Sequence, residues 1–323
     1  MKKIVVPLLS TLLVLAACGE PTAPPATPKA IFIIVDGIPA DVIESVNTPN
    51  LDAIAAVGGY ARAYVGGEVG GESESPTISA VGYNSLLTGT WANKHNVWDN
   101  DVADPNYAYW DIFRIAKTHD PSLKTAIYST WTDNRTRLVG DGLPEAGGKK
   151  IDFHADGYEL DEERFPHDEG GAYIGLIDDV VVDEAVRHLG AEGPDLSWVY
   201  LEHTDGVSHE YGDSAGFYEA VEHVDQQMGR IWGAIEKRQA ANAEDWLIVI
   251  TTDHGRDAET GMDHGGQSER ERTTWIVTNS KRLNSHFNEM PGVVDILPSI
   301  AAHMNIAIPA DVQSHLDGQS FID

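Results

Sequence analysis

The sequence predicts an α/β fold, a three-layer α/β/α arrangement in which helices cover both faces of a mainly parallel sheet. Continuous apolar and β-branched runs are typical of buried parallel strands, and they occur at residues 31–35, 123–128, 196–201 and 246–251, with a shorter run at 275–277. Segments with helical periodicity lie between them at 50–57, 78–87, 107–117, 177–189 and 217–238. Because strands alternate with helices along the chain, the predicted sheet is mainly parallel.

Composition narrows the class of protein. The chain has 323 residues, of which 42% are hydrophobic, and this is enough to bury a full core. Lys and Arg total 22 against 51 Asp and Glu, which gives a net charge of −29. A chain this acidic repels phosphate backbones, so no nucleic-acid polymer is expected as a partner. The single cysteine excludes an internal disulfide and a cysteine-cluster zinc site.

The first residues predict a targeting segment. A basic start, Met1-Lys2-Lys3, precedes an apolar run over 4–17 that is short for a membrane span. The run ends in Leu15-Ala16-Ala17-Cys18-Gly19, which resembles a bacterial lipobox with cleavage before Cys18 and lipid on its sulfur. We therefore predict a lipoprotein signal peptide over 1–17 and an exported bacterial lipoprotein, periplasmic or at the cell surface, anchored to the membrane at Cys18. The alternative is an ordinary secretory signal with a chance cysteine.

Two further segments set the predicted domain organisation. Residues 18–29 are rich in Pro, Ala and Thr and predict an extended tether, so a single folded domain is expected over 30–323. Residues 132–171 are rich in Gly and acids and show little periodicity. This segment is predicted to be an irregular excursion over the sheet edge or a lid.

Acidic and imidazole side chains follow the predicted strands where these strands end. Asp36 directly follows the run 31–35, and Asp253-His254 lie just past 251. Asp205 comes after 196–201, with His209 four residues later, and His264 follows in the chain. In such sheets the carboxyl ends of the strands carry the functional groups. Carboxylates and imidazoles without thiolates suit zinc or manganese in a catalytic site.

These pieces resemble the alkaline phosphatase superfamily, most closely its nucleotide pyrophosphatase/phosphodiesterase and sulfatase-like members. The resemblance covers almost the whole chain from Lys29, and its motifs occur in family order. They are Ile33-Ile34-Val35-Asp36-Gly37, Thr48-Pro49-Asn50-Leu51-Asp52, Pro76-Thr77-Ile78-Ser79, Leu86-Leu87-Thr88-Gly89, His95, Asp205 to His209, Thr252-Asp253-His254-Gly255, His264-Gly265-Gly266, Val294-Asp295-Ile296-Leu297-Pro298-Ser299-Ile300 and Asp317-Gly318. An alkaline phosphatase-like fold is therefore expected for the catalytic domain.

The resemblance also implies a set of roles. It implies two divalent metal ions, with zinc expected, that clamp a transferring phosphoryl group. One metal site would consist of Asp36, Asp253, His254 and the oxygen of the nucleophile, and the other of Asp205, His209 and His264. In the family the nucleophile precedes the threonine of a Leu-Thr-Gly signature by nine residues. That threonine is Thr88, so Ser79 is the expected nucleophile, with Thr77 as the alternative.

Departures from the family patterns bear on the substrate. Formylglycine sulfatases need a Cys or Ser followed by x-Pro-x-Arg, whereas Ser79 is followed by Ala80-Val81-Gly82-Tyr83. Gly82 also stands where nucleotide pyrophosphatases usually have a phosphate-holding asparagine, with Asn84 nearby. Arg135, Arg137 and Arg256 are candidates for a cation that would favour a monoester dianion, and Trp131 is a candidate for stacking on a base or aryl group.

Three functions remain open from the sequence. The first is hydrolysis of a small phosphoester by a phosphodiesterase or nucleotide pyrophosphatase that acts through a phosphoseryl intermediate. The second keeps the same site but acts on phosphomonoesters or phosphonates. The third is a surface lipoprotein that binds metal without catalysis.

Overall fold

A seven-stranded sheet organises the protein. The computed structural model describes residue 2, residues 26–168 and residues 170–323, so the predicted signal peptide apart from residue 2, Cys18 and most of the predicted tether lie outside the described residues. The strands are β1 (Thr27–Val35), β2 (Gly59–Tyr64), β3 (Thr125–Ser129), β4 (Phe153–Ala155), β5 (Leu196–Leu201), β6 (Glu244–Thr251) and β7 (Thr273–Thr278). Their order is β2-β7-β6-β1-β5-β3-β4, and β7 pairs antiparallel with both of its neighbours.

Helices lie on both faces of this sheet. They are α1 (Ala40–Ile43), α2 (Pro49–Val57), α3 (Ser79–Thr88), α4 (Ala92–His95), α5 (Ile112–His119), α6 (Ala172–Ala191), α7 (His203–Tyr211), α8 (Ala215–Ala241), α9 (Glu269–Arg272), α10 (Ile296–His303) and α11 (Ala310–Gln313). Side chains alternate along β1, so Phe32 and Ile34 face the core under α3, α5 and α10, while Ile31 and Ile33 face α2, α6 and α8. The two cores make the molecule a three-layer α/β/α structure, and the predicted α/β fold with a mainly parallel sheet is confirmed.

Some segments differ from the predicted organisation. The first strand begins at Thr27, so residues 27–29, which we placed in the tether, pair with β6. The predicted irregular excursion over 132–171 contains a π-helical turn at Asn134–Leu138 and contributes the edge strand β4, which pairs parallel with β3. Within the part of the chain that the structure describes, no helix is both long and apolar enough to cross a membrane.

Candidate functional site

The parallel register brings three chain segments to one edge of the sheet. Val35 pairs with Leu201 across β1 and β5, and Ile34 pairs with Thr251 across β1 and β6. The residues that follow these three strands therefore leave the sheet side by side. They carry Asp36, helix α7 with Asp205 and His209, and the pair Asp253-His254. The register of these three strands therefore explains why the predicted carboxylate and imidazole side chains that follow them lie close together.

The first cluster consists of Asp36, Asp253 and His254, and all three side chains are buried. Nε2 of His254 lies 3.3 Å from Oδ1 of Asp36 and 3.2 Å from Oδ2 of Asp253. The other ring nitrogen, Nδ1, lies 2.9 Å from the carbonyl oxygen of Gly255, to which it donates in the neutral ring. Nε2 then carries a lone pair. It faces two carboxylate oxygens that have no hydrogen-bond partner among the described residues.

The second cluster consists of Asp205, His209 and His264. Nε2 of His209 lies 3.1 Å from Nε2 of His264 and 3.4 Å from Oδ2 of Asp205. Nδ1 of His264 lies 2.8 Å from the carbonyl oxygen of Thr77, and donation to this oxygen leaves Nε2 of His264 as an acceptor. The two clusters adjoin, since the rings of His254 and His264 stack with their centroids 3.8 Å apart.

The donor atoms of both clusters fit divalent metal ions. Each cluster offers three carboxylate or imidazole ligand atoms within 4.8 Å of one another, the number that catalytic zinc sites take from the protein. Carboxylate oxygens and imidazole nitrogens that face one another with no hydrogen between them repel one another, and a bound cation removes this repulsion. The structure therefore brings together all six predicted carboxylate and imidazole ligands in the two predicted groups, as candidate metal sites.

Burial and charge repulsion act on the carboxylates of the first cluster. Burial raises the pKa of Asp36 well above its ordinary value, and the charges of Asp253 and Asp205 raise it further. Burial and the charge of Asp205 also raise the pKa of Asp253 to about 7. Two phenols restrict Asp36, because Tyr83 and Tyr200 both donate to its Oδ2, the latter at 2.8 Å. This arrangement leaves Oδ1 of Asp36 free for a ligand.

Ser79 lies beside the first cluster, at the first residue of α3. Its Oγ is 3.2 Å from Nε2 of His254, and the side chain lines a cavity of about 220 Å³. Thr77, the alternative nucleophile, is fully buried. Its Oγ1 donates to the carbonyl oxygen of Gly266 and accepts from the backbone N–H of Gly265, both at 2.9 Å. This hydroxyl therefore holds the loop that carries His264.

The cavity contains residues that the sequence analysis did not assign. Its lining consists of Asp36, Ser79, Tyr83, Asn100, Trp131, Tyr200, Glu202 and Asp205. Asn100 is placed by its Oδ1, which accepts from the backbone N–H of Ala80 at 3.0 Å. With this oxygen engaged by the backbone, the nitrogen of the side-chain amide is the group left to contact a ligand, and Asn100 and Ser79 line the same cavity. Asn100 lies outside the periodic segments, so the pattern of the sequence contains no signal for it.

The other substrate candidates have separate positions. Trp131 lines the cavity, as a stacking role requires, whereas Asn84 lines a different small cavity. Arg135 pairs with Asp156, and Arg137 is exposed beside Asp133, so neither lines the cavity with Ser79. Arg256 is completely buried and bonds to Asp205 instead of facing the cavity.

A buried carboxyl group fixes the start of the helix that carries two candidate ligands. Asp178 on α6 accepts from the backbone N–H of Glu202 at 3.2 Å and of His203 at 2.9 Å, where α7 begins. Thr130 at the end of β3 also donates to it. Burial nonetheless raises the pKa of Asp178 to about 7. These contacts tie α7 to α6 and β3, and they fix the position from which Asp205 projects.

Comparison with protein families supports the expected resemblance. The model of the type I phosphodiesterase/nucleotide pyrophosphatase family matches residues 30–312. A venom phosphodiesterase from Naja atra is 22% identical over 251 residues, which is 71% of this chain and 26% of that protein. Across the curated relatives that we compared, the aligned part spans between 25% and 54% of the relative's own length.

Solved structures show the same fold. The phosphonate monoester hydrolase of Agrobacterium radiobacter superposes with a TM-score of 0.63 at 17% identity, over 91% of this chain and 76% of that one. Human ectonucleotide pyrophosphatase/phosphodiesterase 5 gives a TM-score of 0.60 at 13% identity, over 90% of this chain and all of that one (100%). The expected resemblance to the alkaline phosphatase superfamily is confirmed, and so is the expected fold.

Proposed function

The chain belongs to the type I phosphodiesterase/nucleotide pyrophosphatase family, and from this membership we propose that it is a metal-dependent hydrolase of small phosphodiesters. The observation that carries the proposal is the position of Ser79. Its hydroxyl lies at a helix start, in a cavity, and 3.2 Å from a histidine of a six-residue ligand set. A metal-binding protein without catalysis has no need of a hydroxyl that lines a cavity at this point.

Two divalent ions, with zinc as the first choice, would be held by the two clusters. Asp36, Asp253 and His254 would hold one together with Ser79 Oγ, and Asp205, His209 and His264 would hold the other. When bound, such ions lower the pKa of a hydroxyl nucleophile and neutralise the charge that develops on a transferring phosphoryl group.

Side chains of the protein supply the nucleophile and orient the substrate. Ser79 Oγ attacks phosphorus, the bond to the leaving alcohol breaks, and a phosphoseryl intermediate forms. Water then hydrolyses the intermediate and regenerates the serine. The start of α3 favours the anionic phosphoryl group through the helix dipole. The side-chain amide of Asn100 is placed to donate to a phosphoryl oxygen, and Trp131 offers an apolar face to the alcohol group.

The charge of the cavity favours a diester over a monoester. Among the described residues that line it, none is basic, and Glu202 adds a carboxyl group. A phosphomonoester dianion needs more positive charge around its terminal oxygens than a diester monoanion does. The phosphomonoesterase and phosphonate alternatives would need that charge from Arg135, Arg137 or Arg256, and all three side chains are engaged elsewhere.

The test is a pair of aryl substrates. With the protein loaded with zinc, kcat/KM for an aryl phosphodiester is expected to exceed that for the matched aryl phosphomonoester by at least about tenfold, since no basic side chain lines the described cavity to compensate the dianion. The two rates are measured by release of the same phenol. A preference for the monoester would move the protein to the phosphatase alternative. Bound zinc with no hydrolysis of either ester would support the non-catalytic alternative.

We further propose that the protein is exported and lipid-anchored through Cys18, on the basis of the lipobox-like sequence 15–19. In a bacterial host that processes lipoproteins, the full chain is expected in the membrane fraction, and Cys18→Ser is expected to move it to the soluble fraction or to leave it unprocessed. A lipid mass on the N-terminal peptide provides the direct measurement. A wild-type protein that is cleaved and soluble, without lipid on its N-terminal peptide, would support an ordinary secretory signal.

A further inference from the structure

Arg256 is a completely buried guanidinium group beside the second cluster. Its nitrogens donate in three directions. Nε donates to the carbonyl oxygen of Gly37 at 3.3 Å, and Nη1 donates to the carbonyl oxygen of Met262 at 3.2 Å. Nη2 donates to the carbonyl oxygen of Asp205 at 3.0 Å. Nη2 also bonds to Oδ1 of Asp205. One side chain therefore joins the end of β1, the start of α7 and the loop before His264.

Arg256 also bears on the charge of the site. Three carboxylates lie in the two clusters, on Asp36, Asp205 and Asp253. Of the Lys and Arg residues in the described part of the chain, Arg256 alone hydrogen-bonds to any of them, and it bonds to Asp205. A buried guanidinium without a carboxylate partner is strongly disfavoured by desolvation, so the contact between Arg256 and Asp205 stabilises both side chains in this arrangement.

The pairing fixes the direction of the Asp205 carboxylate. Because Arg256 holds Oδ1, the other oxygen, Oδ2, points to His209, 3.4 Å from its Nε2. The backbone makes room for this contact at Gly37, whose φ is +68°. A Cβ at Gly37 would lie 2.6 Å from Nη2 of Arg256 and 2.9 Å from Oδ1 of Asp205, so any larger residue would collide with the pair.

We propose that Arg256 is a positioning residue that sets the affinity of the second cluster for its metal ion, by holding one oxygen of Asp205 and presenting the other beside His209. The inference rests on the proposed function, since it assumes that this cluster binds metal. Residues that orient a ligand in this way typically change metal affinity by about 10-fold to 100-fold when they are replaced.

A substrate-binding role does not fit the same geometry. Arg256 is absent from the cavity lining that contains Ser79, and each of its terminal nitrogens already donates to the protein. Its influence on the reaction passes through Asp205. The position of Arg256 therefore favours a positioning role over the monoester-binding role that the sequence analysis considered for it.

The test uses Arg256→Lys, which keeps the charge but loses the planar fork, and Arg256→Gln, which loses the charge. Zinc affinity is measured in the otherwise intact protein by competition with a chelator, and His209→Ala identifies the binding step that belongs to the second cluster. Arg135→Lys is the control, because Arg135 is also paired with an aspartate, Asp156, but outside the site.

The expected result is a loss of zinc affinity of about 10-fold to 100-fold in the second cluster, with the first cluster changed by less than about threefold. Activity of Arg256→Lys should return when zinc is raised, which a merely structural defect would not allow. Unchanged affinity in both Arg256 variants overturns the inference alone, as does an equal loss from both clusters. A wild-type protein that binds no zinc overturns the proposed function together with the inference.

Discussion

Ser79→Ala is expected to lower kcat for an aryl phosphodiester by at least about 10⁴-fold, because the variant lacks the oxygen that accepts the phosphoryl group. The fold should persist, since Ala is a good residue in the first turn of α3 and the side chain is small. Most of the metal should also remain, because Asp36, Asp253 and His254 keep their ligand atoms. Steady-state rates, circular dichroism and zinc content measure the three outcomes.

A second serine in the same helix provides the control. Ser85 is also buried in α3, but its Oγ donates to the carbonyl oxygen of Val81 at 2.7 Å and contacts His95, away from the cavity. Ser85→Ala is therefore expected to change stability more than kcat. If Ser79→Ala retained a rate near that of the wild type, the nucleophile assignment would be wrong, and Thr77→Val would become the next variant.

Removal of metal is expected to abolish hydrolysis, with a loss of at least about 10³-fold, and addition of zinc is expected to restore it at two ions per chain. Both clusters present lone pairs and carboxylate oxygens, and among the described residues the only Lys or Arg that pairs with them is Arg256, through Asp205. Without the positive charge of the metal ions, the anionic phosphoryl group would be repelled by the three carboxylates of the two clusters. Dialysis against a chelator, followed by zinc titration with activity as the readout, measures the effect.

The titration also has an expected pH dependence. Since burial and neighbouring charge raise the pKa of Asp253 to about 7, protons compete with metal for this carboxylate below pH 7. Apparent zinc affinity of the first cluster should therefore rise with pH through this range and level off above it. His209→Ala should retain one ion, whereas His315→Ala, which changes an exposed histidine outside the clusters, should retain two. Full activity in metal-free protein would contradict the proposed chemistry.

The strands and ligands that were predictable from the sequence are those whose local hydrophobic pattern agrees with their burial in the folded protein. The runs that became β1, β5 and β6 are apolar except for Ser197 and Thr251, so the burial of these strands on both faces is visible in the sequence. The ligands follow directly after such strands, and this position explains why they were identified. Strand β2, Gly59–Tyr64, was not predicted, because glycine, arginine and exposed tyrosine dilute its pattern, and only its pairing with β7 defines it.

Residues placed by tertiary contact alone were not predictable. Asn100 lines the cavity, and a hydrogen bond from the backbone N–H of Ala80 at the start of α3 holds it there. Arg256 was assigned as a possible substrate-binding cation, yet the meeting of three chain segments buries it completely. An isolated charged residue in a sequence is ordinarily expected at the surface, so nothing local indicates such burial.

The distribution of the ligands along the chain has a consequence for how the protein matures. Asp36 lies before β5 and β6, while His254 and His264 follow them, and the Ser79 to His254 contact spans 175 positions. An unfolded or half-folded chain therefore contains no more than fragments of either cluster, and closing such long loops is slow. If the two clusters bind metal as proposed, metal capture is expected to be the last step of maturation, after the central strands have paired. For an exported chain, the ion that is bound would then be selected from the pool outside the cytoplasm, whatever the pool in which the chain was synthesised.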